Sequence, residues 1–112
     1  MGVSTLAFIL WHHPVKGVGE QDYDDALTAF HRSLRDAPPD GFLSSEVMRL
    51  DRLPWMDLAP VYQDWYLITS FEAMGTLNDG AVAGTRRDPH DRAAALAADG
   101  IGGVYALEEG DG

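Results

Sequence analysis

Thr5–His12 reads Thr-Leu-Ala-Phe-Ile-Leu-Trp-His, apolar at nearly every position instead of at alternate ones. A run of that length predicts a strand covered on both faces. Pro14 has no N–H to give a ladder and marks its end, and Gly17 and Gly19 open a loop. From Asp22 to Ala37 the period changes, and Tyr23, Ala26, Leu27, Phe30 and Leu34 form a single helical stripe. Asp22 is placed to cap this helix, with Asp24 and Asp25 in its first turn and Arg32 and Arg35 in its last. That is the charge order a helix dipole favours. Pro38-Pro39-Asp40-Gly41 stops the helix and turns the chain.

Phe42–Leu53 is a longer extended segment with polar and apolar residues on both faces. Pro54 and Pro60 bracket a loop that carries Trp55 and Met56. Val61–Thr69 is again rich in the aromatic and branched residues that strands prefer, with Val61, Trp65 and Leu67 on one face and Tyr62, Tyr66 and Ile68 on the other. Thr69 with Glu72 predicts a capping box for a second helix, whose inward residues are Phe71, Met74, Leu77 and Ala81. Gly75 and Gly80 weaken it by about 1 kcal/mol each relative to Ala. Asp88-Pro89 predicts the cap and first position of a third, Ala-rich helix that ends at Gly100, with Ile101 packing back. Gly103–Leu107 completes the pattern as a short strand, and the acidic tail from Glu108 is a frayed end.

The chain has 112 residues, enough for one domain, whose core spans about 5–107. Cys is absent, which excludes disulfides, thiolate metal sites and cysteine nucleophiles. Eight Lys plus Arg against 18 Asp plus Glu leave a formal charge of −10. That balance opposes nucleic acid and anionic membranes as partners. The Leu6–Trp11 run is too short to span a bilayer, which takes about 20 residues, and no basic start precedes it, so the expected location is cytoplasmic. Arg outnumbers Lys, and Ala and Gly are abundant, as in a GC-rich genome or a salt-adapted proteome.

The order β-α-β-β-α-(α)-β predicts an α+β, ferredoxin-like sandwich, an antiparallel sheet with its helices on one face. The first and third strands then leave an apolar second face, bearing Trp11 or Phe8 and Trp65 or Tyr66. Aromatics of this kind bury about 150–250 Å² each, and a second copy of the chain is the simplest cover. Paired in this way, the chain resembles the dimeric α/β-barrel superfamily over roughly residues 5–107, by element order and two-faced strands and not by a motif. That superfamily includes antibiotic-biosynthesis-type monooxygenases, muconolactone-isomerase-like and chlorite-dismutase-like enzymes, and stress-responsive proteins. The resemblance implies a homodimer holding a small ligand between sheet and helices, and it transfers no catalytic residue.

The residues themselves offer several candidates. His12 and His13 point to opposite faces of a strand and so do not share a metal ion. His13 is a candidate base at a pocket mouth; the structural alternative packs one His at a dimer seam and leaves the other solvated. His31 flanks the first helical stripe and reads as a boundary histidine bonded to solvent. Arg86-Arg87-Asp88-Pro89-His90 is the one concentrated cationic spot, suited to a carboxylate or phenolate unless Asp88 and Asp91 neutralise it. His90 there can change charge near neutral pH. The pocket wall is assigned to Trp11, Trp65 and Tyr66, with Tyr62 and Phe8 as further aromatic candidates and Arg86 at the rim. The catalytic candidates are His13 and His90, no metal ligand is assigned, and no cofactor is specified.

The functional expectation is a homodimer that binds a small aromatic or anionic molecule, with monooxygenase-like or isomerase-like chemistry. A non-catalytic dimerisation or scaffold protein is the alternative, and haem or metal binding through a His is the second. Whether the chain is an enzyme stays open at this point.

Overall fold

The computed structural model describes residues 5–50 and 61–106. The expected Trp55–Met56 loop, the far end of the second extended segment and the tail from Glu108 lie outside the described residues. The elements run β1 (Leu6–Pro14), α1 (Glu20–Asp36), β2 (Phe42–Arg49), β3 (Tyr62–Ile68), α2 (Phe71–Ala81), a 3₁₀ turn at Gly84–Arg86, α3 (Arg87–Leu96) and β4 (Ala97–Ala106). The four strands form one antiparallel sheet in the order β2-β3-β1-β4. This is the ferredoxin-like α+β sandwich expected from the element order.

Register decides what faces the helices. Leu6 pairs with Ile68, Phe8 with Tyr66, Leu10 with Asp64 and His12 with Tyr62. These alternate residues turn to the helix side, where Leu6, Tyr62, Tyr66 and Ile68 join Tyr23, Ala26, Leu27, Phe30 and Leu34 of α1 in the core. The predicted stripe of α1 is buried throughout. On the opposite sheet face stand Trp11 and Trp65, with Ile101 and Tyr105 of β4 on the same side. Trp11 packs edge-on against Tyr105, at 6.0 Å between ring centroids. Ile101 is 68% exposed and Tyr105 52%. The face away from the helices is therefore apolar.

Several local expectations are corrected. α1 begins at Glu20 with Gly19 as its cap, so Asp22 sits inside the first turn and caps nothing. α2 is capped by Ser70, whose Oγ accepts from the Ala73 amide at 3.1 Å; Thr69, one residue earlier, gives its N–H to the Gly41 carbonyl. Its buried face is Ala73, Leu77 and Ala81, while Phe71 is 69% exposed. Phe71 lies two residues from Ala73, about 200° around the helix, and so points away from the core. α3 starts at Arg87, leaving Pro89 in the first turn, where its missing N–H costs nothing. β4 begins at Ala97 rather than Gly103 and carries Gly100 within it. The long free edge of β1 supplies partners for this extension, with a register shift between Trp11 and His13 and a positive φ of 54° at Asp99.

Gly41 shows how sheet and helices are fitted together. It has φ +83°, and a Cβ placed there would lie 2.4 Å from Ala73 Cβ. The turn into β2 therefore seats directly on α2, possible only with glycine on one side and alanine on the other. Among the described residues no helix is long and apolar enough to cross a membrane.

Candidate functional site

A cleft of about 420 Å³ opens between the sheet and the helices. That volume falls within the usual range for small-molecule sites, about 300–1,000 Å³. Its walls are mostly apolar: Phe8 of β1, Phe30 of α1 and Leu77 of α2, with alanines of α3 on the far side. Phe8 stacks on Tyr66 at 5.8 Å. Five polar side chains reach it, namely His12, Asp64, Tyr66, Asn78 and His90.

The floor of the cleft is built around a buried carboxylate. Asp64 is 3% exposed. His12 Nε2 stands 3.1 Å from its Oδ2 and His31 Nε2 3.4 Å from its Oδ1. Tyr66 donates its hydroxyl to Oδ2 at 3.2 Å. Each imidazole has a hydroxyl at its other nitrogen: Tyr23 at His12 Nδ1 and Ser45 at His31 Nδ1, the latter at 2.8 Å. A ring nitrogen facing a carboxylate must carry the proton, since two lone pairs would repel. In the neutral ring Nδ1 is then the acceptor, so Tyr23 and Ser45 donate to it. His31 also stacks on Tyr66, at 5.1 Å and 11°.

The electrostatics of the array are consistent with this assignment. Burial alone pushes the Asp64 carboxyl up, but the protons that His12 and His31 present to it outweigh burial and hold the group below its ordinary value. Burial, with the Asp64 charge behind it, pushes the Tyr23 and Tyr66 phenols well up, so both stay protonated donors. Tyr62 is raised to about 12, first by burial and then by its bond to Asp24, 2.8 Å away. One feature of the array is incomplete. His12 Nε2, His31 Nε2 and Asp64 Oδ1 are buried, yet their mutual contacts lack hydrogen-bond alignment and no other described residue pairs with them.

At the mouth stands His90, on α3 and edge-on to Phe30 at 5.3 Å. Its Nδ1 lies 3.1 Å from Asp91 Oδ1. In the neutral ring that contact puts the proton on Nδ1 and the lone pair on Nε2. A histidine oriented by an acid in this way is suited to accepting a proton.

The other expected site residues are dispersed. Tyr66 and His90 reach the cleft, whereas Trp11, His13, Trp65 and Arg86 are not among its lining residues. Trp11 and Trp65 lie on the outer sheet face, and Trp65 Nε1 donates to Gln63 Oε1 at 2.9 Å. His13 sits at the β1–β4 irregularity, with Nε2 2.9 Å from Asp99 and Nδ1 3.1 Å from the Pro14 carbonyl. These contacts, the Pro14 carbonyl first, raise its pKa. Arg86 is occupied by the carbonyls of Gly80 and Ala37, where it ties the ends of α2 and α1 together. Arg87 pairs loosely with Asp91, at 3.8 Å.

His31 corrects the sequence reading outright: it is 2% exposed and belongs to the array. Asp64, His12, Tyr23 and Ser45 were also missed. A signal existed for two of them. Asp64 shares strand parity with Tyr62, Tyr66 and Ile68, and His12 with Phe8 and Leu10, so each is a polar group on an inward apolar face. Such a group needs partners, and the partners make up the array. Among the described residues no group of three or more His, Asp or Glu is arranged to hold a metal ion.

No protein-family model matches the chain, and no curated protein matches it in sequence. Solved structures do match in shape. A dimeric ferredoxin-like protein of unknown function from Thermobifida fusca aligns with a TM-score of 0.69 and 13% identity, over 93% of this chain and 92% of the other. SnoaB, a cofactor-independent oxygenase from Streptomyces nogalater, gives 0.65 and 14%, over 96% of each chain. The hydroxynitrile lyase of Passiflora edulis gives 0.68 and 9%, over 99% of this chain and 100% of the other. At such identities the likeness is one of architecture. In that respect the chain has the ferredoxin-like fold that these neighbours share.

Proposed function

We propose that this chain is a homodimeric enzyme that binds a small flat molecule in the sheet–helix cleft and removes a proton from it. The observation that carries the reading is the cleft itself, an apolar slot with a buried, incompletely bonded Asp64 at its floor and an acid-oriented His90 at its mouth. In this reading Asp64, steadied by His12, His31 and Tyr66, anchors the ligand. Phe8 and Tyr66 flank it, and His90 accepts the proton through Nε2. Proton removal is the step that oxygenase-like and isomerase-like reactions on such molecules share, so the site is compatible with either.

The outer sheet face supports the dimer. Trp11, Trp65, Ile101 and Tyr105 share that face, with Ile101 and Tyr105 more than half exposed, an apolar patch that a second copy would cover. Two of the structural neighbours are dimeric. The scaffold alternative would suit a filled interior better than an open cleft. Haem or metal binding draws no support from the grouping of the described His, Asp and Glu residues.

The test is hydrogen–deuterium exchange at the acidic C–H of 6-hydroxy-2-tetralone, which carries a hydroxyl for Asp64, in D₂O, followed by NMR. The protein should accelerate it, and His90→Gln should remove about a hundredfold of the acceleration, the lower range for a general base. An unchanged rate in His90→Gln refutes the role of His90. No acceleration by the wild type refutes the proton-transfer reading.

A further inference from the structure

The polar groups of the cleft differ in what they can accept, and this bears on the class of ligand. No described lining residue is Lys or Arg. Arg86, the cation nearest in expectation, is held by two main-chain carbonyls. The formal charge at the floor is the Asp64 carboxylate, 3% exposed and facing two imidazoles whose outer nitrogens are taken by Tyr23 and Ser45. Three groups already point at that carboxylate, yet Oδ1 has no aligned donor. A buried carboxylate oxygen with spare capacity accepts a hydrogen bond and donates none.

We infer that the cleft selects an uncharged flat ligand carrying a hydroxyl or N–H, which donates to the Asp64 carboxylate, and discriminates against a carboxylate on the same ring system. The inference rests on the cleft being the ligand site. It narrows the sequence expectation of an aromatic or anionic molecule to the uncharged member. A second negative charge brought beside Asp64 in a poorly solvated slot is repelled, whereas a neutral O–H or N–H completes the shell that the two histidines leave open. Tyr66 supports the same ligand, because it holds Oδ2 and lies as a flat face against Phe8.

The experiment compares 2-naphthol with 2-naphthoate at neutral pH, where the first is neutral and the second an anion. Affinities are measured by calorimetry, and contacts to the Phe30 and Tyr66 rings by NMR locate the bound molecule. Wild type should bind 2-naphthol about tenfold or more tightly than 2-naphthoate. Asp64→Asn, which keeps the shape and removes the charge, should bring the two affinities to within about threefold. Equal or tighter binding of 2-naphthoate by the wild type overturns the inference while leaving the cleft as the ligand site. Retention of the full preference in Asp64→Asn overturns the assignment of selectivity to Asp64. Binding of neither compound in the cleft removes the site reading and this inference with it. The wild-type comparison decides the charge question even should the variant fail to fold.

Discussion

Replacing Asp64 by Ala should be among the most damaging single changes in the protein. The substitution deletes the acceptor faced by His12 Nε2, His31 Nε2 and the Tyr66 hydroxyl, at 3.1, 3.4 and 3.2 Å. All three residues are buried and face the carboxylate, so its loss leaves them without their acceptor. Each buried donor left alone costs about 1–3 kcal/mol, and breaking a buried ionic array costs about 3–5 kcal/mol in all. For a domain of this size that corresponds to a fall in melting temperature of roughly 10–25 °C. The change should also be coupled to its neighbour. Asp64→Ala together with His12→Leu should lose less than the two single variants added, by about 1–3 kcal/mol, because the second change removes an orphaned donor. Denaturant titration of the four proteins measures this. A loss below about 1 kcal/mol, or additivity within about 0.5 kcal/mol, would show that the array is not a connected unit.

The same carboxylate makes stability depend on acid. Its folded pKa lies below the unfolded one, so its contribution is complete above about pH 5 and fades as the pH falls through the folded value; the melting-temperature gap between wild type and Asp64→Asn should close on acidification toward pH 2. Gly41→Ala combines a left-handed backbone with a Cβ 2.4 Å from Ala73 Cβ and should cost roughly 2–4 kcal/mol in denaturant titration. Arg86→Met, which frees the carbonyls of Gly80 and Ala37, should cost about 1–3 kcal/mol by the same measurement while leaving ligand binding intact. Ile101→Glu alters a side chain 68% exposed in the protomer, so it should leave the fold unchanged but weaken self-association by about a hundredfold or more in sedimentation; unchanged association removes the outer sheet face as the interface.

The architecture was legible because it follows from periods that a sequence displays. The spacing of Tyr23, Ala26, Leu27, Phe30 and Leu34 allows one helical face, and all five are buried. The two-faced apolar content of β1 and β3 already required cover on both sides of the sheet. The choice between Trp11 and Phe8, and between Trp65 and Tyr66, needed the register, which places both tryptophans outside. Cap positions moved by one to three residues, from Thr69 to Ser70, Asp88 to Arg86 and Asp22 to Gly19, because tertiary seating and not the capping side chain alone selects where a helix starts. Phe71 misled for a related reason: its hydrophobicity suggested burial, while the close fit of Gly41 on Ala73 set the phase of α2.

The site was much less legible. His12, Tyr23, His31, Ser45 and Asp64 lie on three strands and a helix, and sequence distance says nothing about which of them meet. Helical and strand periods are local, set by backbone geometry within a few residues, so the chain alone determined the elements, their amphipathic faces and the need to cover the sheet twice. The conjunction of two imidazoles with one carboxylate is not local. It arises only once antiparallel pairing puts Leu10 beside Asp64 and packing brings α1 across the sheet, because a buried charge takes its partners from whatever the fold carries within hydrogen-bond reach.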